Sequence, residues 1–174
     1  MTKSVGDHRY TESGLDNVIL RNVTKHTCES CGAQRVLIPG MTKMHHAIAK
    51  AIAEKPARLS PAEVGFLRDH LELSNREFAD LMGVTQEQTS RWTGSEPIGV
   101  PAERFLRMMA ILGPGGVAKH KAEGLDSPES PADFYDSVKK VLEKLPARSE
   151  PVRDIDIGLK RSGATDWIAD QTVN

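Results

Sequence analysis

Gln86, Glu87, Ser90 and Arg91 are spaced so that a helix through them presents all four side chains on one broad surface. These residue types match the hydrogen-bonding edges of base pairs in a major groove. Arginine bonds bidentately to guanine, glutamine bonds to adenine, and glutamate accepts from cytosine; a good bidentate pair contributes about 1–3 kcal/mol of discrimination. Asn75 and Arg76, one predicted helix earlier, suit phosphate oxygens, contacts that fix register rather than sequence. Thr85 joins this set through the cap geometry of the second helix. The same residues would also make an ordinary solvated face, or a surface for another protein, because two-helix units occur in protein-binding modules.

Cys28 and Cys31 form the second chemical group, spaced as half of a structural zinc site, which takes four nitrogen or sulfur ligands. His8, His26, His45 and His46 are the available complements, although neighbours such as His45 and His46 point about 100° apart on a helix. A metal-free turn, free thiols or a redox-linked pair fits the same spacing, so zinc is one option and no cofactor is required. Cys28 has no histidine-centred nucleophilic arrangement, and Asp69 and His70 read as helix surface, so enzymatic activity is not expected.

Short, separately capped helices must hold the first group. Ser60 as N-cap, Pro61 at the first helical position and Glu63 beyond it mark a helix start, with Leu59 and Val64 as a hydrophobic staple. Val64, Leu67 and Leu71 form its inward line. Ser74 and Glu77 repeat the start for a short helix whose core face is Phe78, Leu81 and Met82. Gly83 suits the position after its last turn because a left-handed backbone costs it no Cβ clash. Thr85 caps a third helix, with Gln88 in the reciprocal capping position, Thr89 and Trp92 facing the core, and Gly94 as its stop. SNREFADLMGVTQEQTSRW thus reads as a helix-turn-helix. A further helix over residues 101 to 112 repeats Phe105, Met108, Met109 and Leu112 on one side.

The rest of the chain is less periodic. Val18 with Leu20, and Val36 with Ile38, suggest a small antiparallel sheet with too little apolar area to stand alone. A helix over residues 41 to 55, carrying Met44, Ile48, Ala51, Ile52 and Lys55 on one side, is its expected support. Beyond GPGG, Phe134, Val138, Val141, Leu142 and Leu145 mark a helix over 131 to 145, and Val152, Ile155 and Ile157 an edge strand. The expected fold is mainly α, a helix-turn-helix bundle with a small amino-terminal β-rich module and a carboxyl-terminal helical extension. Its domains divide as 1–57, 58–112 and 113–174, the last suited to dimerisation or partner contact.

Net charge is −1, so bulk attraction identifies no partner. Its distribution is uneven: residues 60 to 112 hold 5 Lys or Arg against 8 Asp or Glu, whereas residues 1 to 59 hold 9 against 5. Lys43, Lys50, Lys55 and Arg58 are therefore the cations expected to supplement a DNA-binding face. A lone cysteine pair, and the lack of a long apolar run or an apolar targeting core, point to a cytoplasmic chain without membrane association.

Two stretches also carry a family resemblance. LSPAEVGFLRDHLELSNREFADLMGVTQEQTSRWTGSEPI resembles the helix-turn-helix domain of Xre-type repressors. With YTESGLDNVILRNVTKHTCESCG and IPGMTKMHHAIAKAI before it, residues 8 to 112 resemble the MqsA-like, YgiT-type zinc-finger and helix-turn-helix antitoxins. The resemblance implies a homodimeric repressor on a palindromic double-stranded DNA operator, paired with a cognate toxin whose shared promoter it controls. It assigns groove reading to Gln86, Glu87, Ser90 and Arg91, with Asn75 at a frequent phosphate-contact position. Fuller family members carry two CxxC pairs, whereas this chain has one. The alternative expectation is a protein-binding adaptor, or a local regulator without a toxin partner.

Overall fold

The computed structural model describes residues 1–112, 138–143, 145, 151 and 156–170. Two compact units divide the chain: Met1–Ile48 with Asp154–Asn174, and Ala49–Arg153 between them in sequence.

The first unit is built on a five-stranded mixed sheet. Strands β1 (Thr2–Arg9), β2 (Val18–Thr27) and β3 (Gln34–Leu37) pair antiparallel. Strand β4 (Ile157–Arg161) then lies parallel to the first residues of β2 and antiparallel to β5 (Trp167–Asp170). Val18, Leu20, Val23, Ile157, Leu159 and Trp167 are buried, as are Met44 and Ile48 from helix α1 (Met41–Glu54). Gly40 precedes α1 with φ +65°, and a Cβ there would overlap the carbonyl oxygen of Thr165. That close approach requires glycine. Trp167 donates from Nε1 to the Pro39 carbonyl at 2.8 Å, and Lys43 pairs with Asp166 at 2.7 Å, fixing the β4–β5 turn beside the start of α1.

This sheet corrects the expected fold class: the protein is a sheet-containing α/β fold rather than mainly α, and its carboxyl-terminal segment holds strands as well as helix. Strand β1 has almost no apolar alternation and no buried residue, so period-2 hydrophobicity could not reveal it. The carboxyl-terminal segment contributes β4 and β5, and β4 is an interior strand rather than an edge. Residues 138–143 are helical, but Phe134, Val152 and Ile155 lie outside the described residues.

In the second unit, α2 (Pro61–His70), α3 (Asn75–Met82), α4 (Gln86–Gly94) and α5 (Val100–Leu112) follow one another through short connections. Capping boxes close the starts of α2 and α3: Ser60 accepts from Glu63 N and Ser74 from Glu77 N, while each glutamate reaches back to its cap. Gly83 ends α3 at φ +67°, the left-handed position its sequence suggested. Gly94, however, is still helical, and α4 ends at Ser95.

A buried ionic cluster holds this unit together. Arg107, on α5, donates to the Ala53, Lys55 and Ala57 carbonyls at 2.6–3.0 Å and to Glu103 Oε1 at 2.8 and 3.2 Å. It thereby satisfies carbonyls at and beyond the end of α1 that have no helical partner. Arg58 and the Leu59 N–H also bond Glu103, and Lys55 pairs with Glu63 at 2.6 Å. Burial without such partners would cost these charges several kcal/mol, on the order of a broken buried pair. Helix α5 consequently faces inward with Glu103, Leu106, Arg107 and Ala110, whereas Phe105, expected in its core stripe, is 37% exposed.

Candidate nucleic-acid interface

Helices α3 and α4 meet at an angle set by packing below and hydrogen bonds above. Phe78 and Trp92 pack edge to face, with ring centroids 6.5 Å apart, a favoured geometry for aromatic pairs. Above them, the fully buried Thr89 donates to Asn75 Oδ1 at 2.7 Å and lies 2.9 Å from the Gln86 carbonyl. Asn75 Nδ2 is 3.2 Å from both the Gln86 carbonyl and Ser90 Oγ. One side chain at the start of α3 thus clamps the first turn of α4. Asn75 was expected at a phosphate, and a phosphate oxygen would compete for its amide with these two internal acceptors.

The clamp leaves a polar surface outside. Gln86, Glu87, Ser90 and Arg91 are all exposed. Thr85 acts as the expected cap, its hydroxyl accepting from Gln88 N at 3.2 Å. Gln88 does not complete the reciprocal box. Its Oε1 instead accepts from Arg91 Nη2 at 2.7 Å, and Arg91 Nε lies 3.5 Å from Glu96 Oε2. Arg91 is therefore oriented by a glutamine and a carboxylate and is about half exposed. The Glu87 carboxyl is held below the usual range, first by its own backbone N–H, then by the Thr85 hydroxyl and the Arg91 charge. It is an acceptor near neutral pH. Arg76 projects into solvent beside Asp80, 3.9 Å away.

The cations expected to supplement this surface are engaged elsewhere. Lys55 and Arg58 belong to the buried cluster and Lys43 to the Asp166 pair; Lys50 is exposed.

The expected zinc ligands are not gathered. Cys28 and Cys31 share the tight turn after β2, where Gly32 N donates to the Cys28 carbonyl at 2.8 Å and Cys28 Sγ lies 3.0 Å from Ser30 Oγ. The Ser30 hydroxyl above all, then the Cys31 and Ser30 N–H groups, lower the Cys28 thiol to about 6. His8 pairs across the strands with Leu20 and lies 3.8 Å from Glu12. His45 bonds the Tyr10 hydroxyl at 2.9 Å, and burial lowers its pKa. His26 lies within β2 and His46 on α1. No group of three or more His, Cys, Asp or Glu able to hold a metal occurs among the described residues. The two sulfurs alone do not make a four-ligand zinc site.

No protein-family model matches the chain, and neither a curated protein nor a solved structure matches it. Among the described residues, no helix is long and apolar enough to cross a membrane.

Sequence reasoning missed Asn75 as a clamp and Glu96 as the partner of Arg91. Asn at the first position of α3 and Thr89 on the inward side of α4 were a usable signal, because both are polar residues placed where two helices converge.

Proposed function

We propose that this protein is a sequence-specific DNA-binding transcriptional repressor that reads a major groove with α4. One observation carries the reading: Asn75 and Thr89 lock the first turn of α4 while Gln86, Glu87, Ser90 and Arg91 remain exposed together. A groove-reading helix needs this combination, because base discrimination is lost if the helix can rotate on its support. Arg91 would exchange Gln88 and Glu96 for a base edge, and Glu87 stays ionised to accept from a cytosine amino group.

The resemblance to MqsA-like antitoxins extends the proposal to a homodimer on a palindromic operator in the cytoplasm, controlling its own promoter and neutralising a cognate toxin. Two recognition helices about 34 Å apart would then engage successive half-sites. No catalytic step enters this reading.

A protein-binding adaptor is the second reading, favoured by the ion pair that already occupies Arg91 and by the acidic excess in residues 60 to 112. Gel shifts with DNA upstream of the gene and a shuffled duplex separate the two. The repressor reading expects salt-sensitive preference for the upstream DNA, reduced by Arg91→Ala and abolished when Gln86, Glu87, Ser90 and Arg91 are all replaced. Equal binding of both duplexes by the wild type would refute it.

A further inference from the structure

None of residues 2–5, 24–27 or 34–37, in the far half of the β1–β2–β3 sheet, is buried: residues 2–5 and Gln34, Arg35 and Leu37 are exposed, and residues 24–27 and Val36 are half-buried. Lys3, His26 and Arg35 stand directly opposite one another across the three strands, in one row on one face. The adjacent row on that face is Val5, Thr24 and Leu37, with Val5 62% and Leu37 46% exposed. Lys3 and Arg35 are like charges on the two strands that flank β2, with His26 between them. Here these strand segments contain Lys3, Lys25 and Arg35 and no acid. The side chains of Lys3, His26 and Arg35 make no hydrogen bond or ion pair with another described residue. Elsewhere, Arg21, Lys43, Lys160, Arg68, Arg76 and Arg91 each have a carboxylate partner.

We infer that this sheet face binds the sugar-phosphate backbone of duplex DNA, an inference that rests on the repressor reading for its choice of polyanion. The face is a sheet surface whose outer cations, two strands apart, stand roughly 10 Å from each other at the backbone. Long, flexible side chains on such a surface suit a line of phosphates. The one aromatic ring on this face is that of His26, short of the series of rings on which successive unpaired bases stack, so duplex is favoured over single strands. Phosphate contacts of this kind add affinity without sequence preference.

The test is a salt titration of DNA binding by the full chain, on the upstream duplex and on a shuffled duplex of equal length. For Lys3→Gln/Arg35→Gln, the slope of log affinity against log salt should fall by about 2 on both duplexes, because each lost phosphate contact removes about 0.9. Selectivity between the duplexes should stay unchanged. Lys3→Arg/Arg35→Lys should keep the wild-type slope, and circular dichroism should show both variants folded. An unchanged slope in the folded glutamine variant overturns the inference while leaving the α4 reading intact. Loss of selectivity in the wild type overturns the α4 reading, and the slope on shuffled DNA still decides the sheet face. Two other results with an unchanged DNA slope overturn the inference in favour of another occupant. These are polyglutamate binding lost in the glutamine variant, for an acidic protein, and a self-association lost in that variant, for a second copy.

Discussion

Replacing Arg107 with Met tests whether the scaffold of the second unit is ionic rather than merely apolar. The guanidinium is 2% exposed and makes five hydrogen bonds, two to Glu103 and three to the Ala53, Lys55 and Ala57 carbonyls. Methionine fills part of the volume but donates nothing. Glu103 keeps Arg58 and the Leu59 N–H, so its charge is not wholly abandoned. The three carbonyls have no such reserve, and each buried acceptor left unmatched costs about 1–3 kcal/mol. Breaking one side of a buried pair costs about 3–5 kcal/mol as a whole, and that range is the expectation here. For a unit of this size it corresponds to a fall in Tm of roughly 12–40 °C, taking about 4–8 °C per kcal/mol. Thermal unfolding followed by helical circular dichroism is the assay. Phe105→Ala on the same helix is the internal control: its ring is 37% exposed, so a smaller loss than that of Arg107→Met is expected. A Tm for Arg107→Met within a few degrees of wild type, or a larger loss for Phe105→Ala, would refute the reasoning.

Three further outcomes follow from the interface and the cysteine turn. Asn75→Ala removes the clamp but leaves Thr89 its Gln86 carbonyl, so stability should fall by only about 1–2 kcal/mol, while preference for upstream over shuffled DNA falls more than tenfold in gel shifts. Glu96→Gln releases Arg91 from an exposed pair worth about 0.2–1 kcal/mol, so DNA affinity should rise by a few-fold, and a fall measured by fluorescence anisotropy would contradict a base-reading Arg91. Because the Cys28 thiol is lowered to about 6, its alkylation rate should climb through that pH and level off above it; Ser30→Ala should move the midpoint upward, as mass spectrometry of the labelled peptide would show. The sign for stability is the same: a depressed thiol pKa favours the folded state above the unfolded value, and this contribution disappears as pH falls through about 6.

The starts of α2, α3 and α4 were legible because their signals are local. Ser60, Ser74 and Thr85 lie within a few residues of the N–H groups they accept from, and Gly83 meets a backbone need of its own turn. Phe78, Thr89 and Trp92 also declare their side of the helix by spacing alone. The sheet was not legible, since β1 is polar and exposed and the β2–β4 pair joins segments on either side of the second unit. No local pattern encodes a pairing across that separation.

Charge marks the same divide. A sequence places Lys55, Arg58, Glu63, Glu103 and Arg107 by default on solvated faces, because charged residues are rarely fully buried without partners. Only the tertiary structure brings those partners together, withdrawing Lys55 and Arg58 into buried pairs and leaving Lys3 and Arg35 in one row without a carboxylate partner among the described residues. What the residues determined by themselves was where helices begin and which polar groups share a turn of α4. Which charges are neutralised, and which remain to meet a partner, was decided by long-range packing, because an ion pair depends on distance in space rather than along the chain.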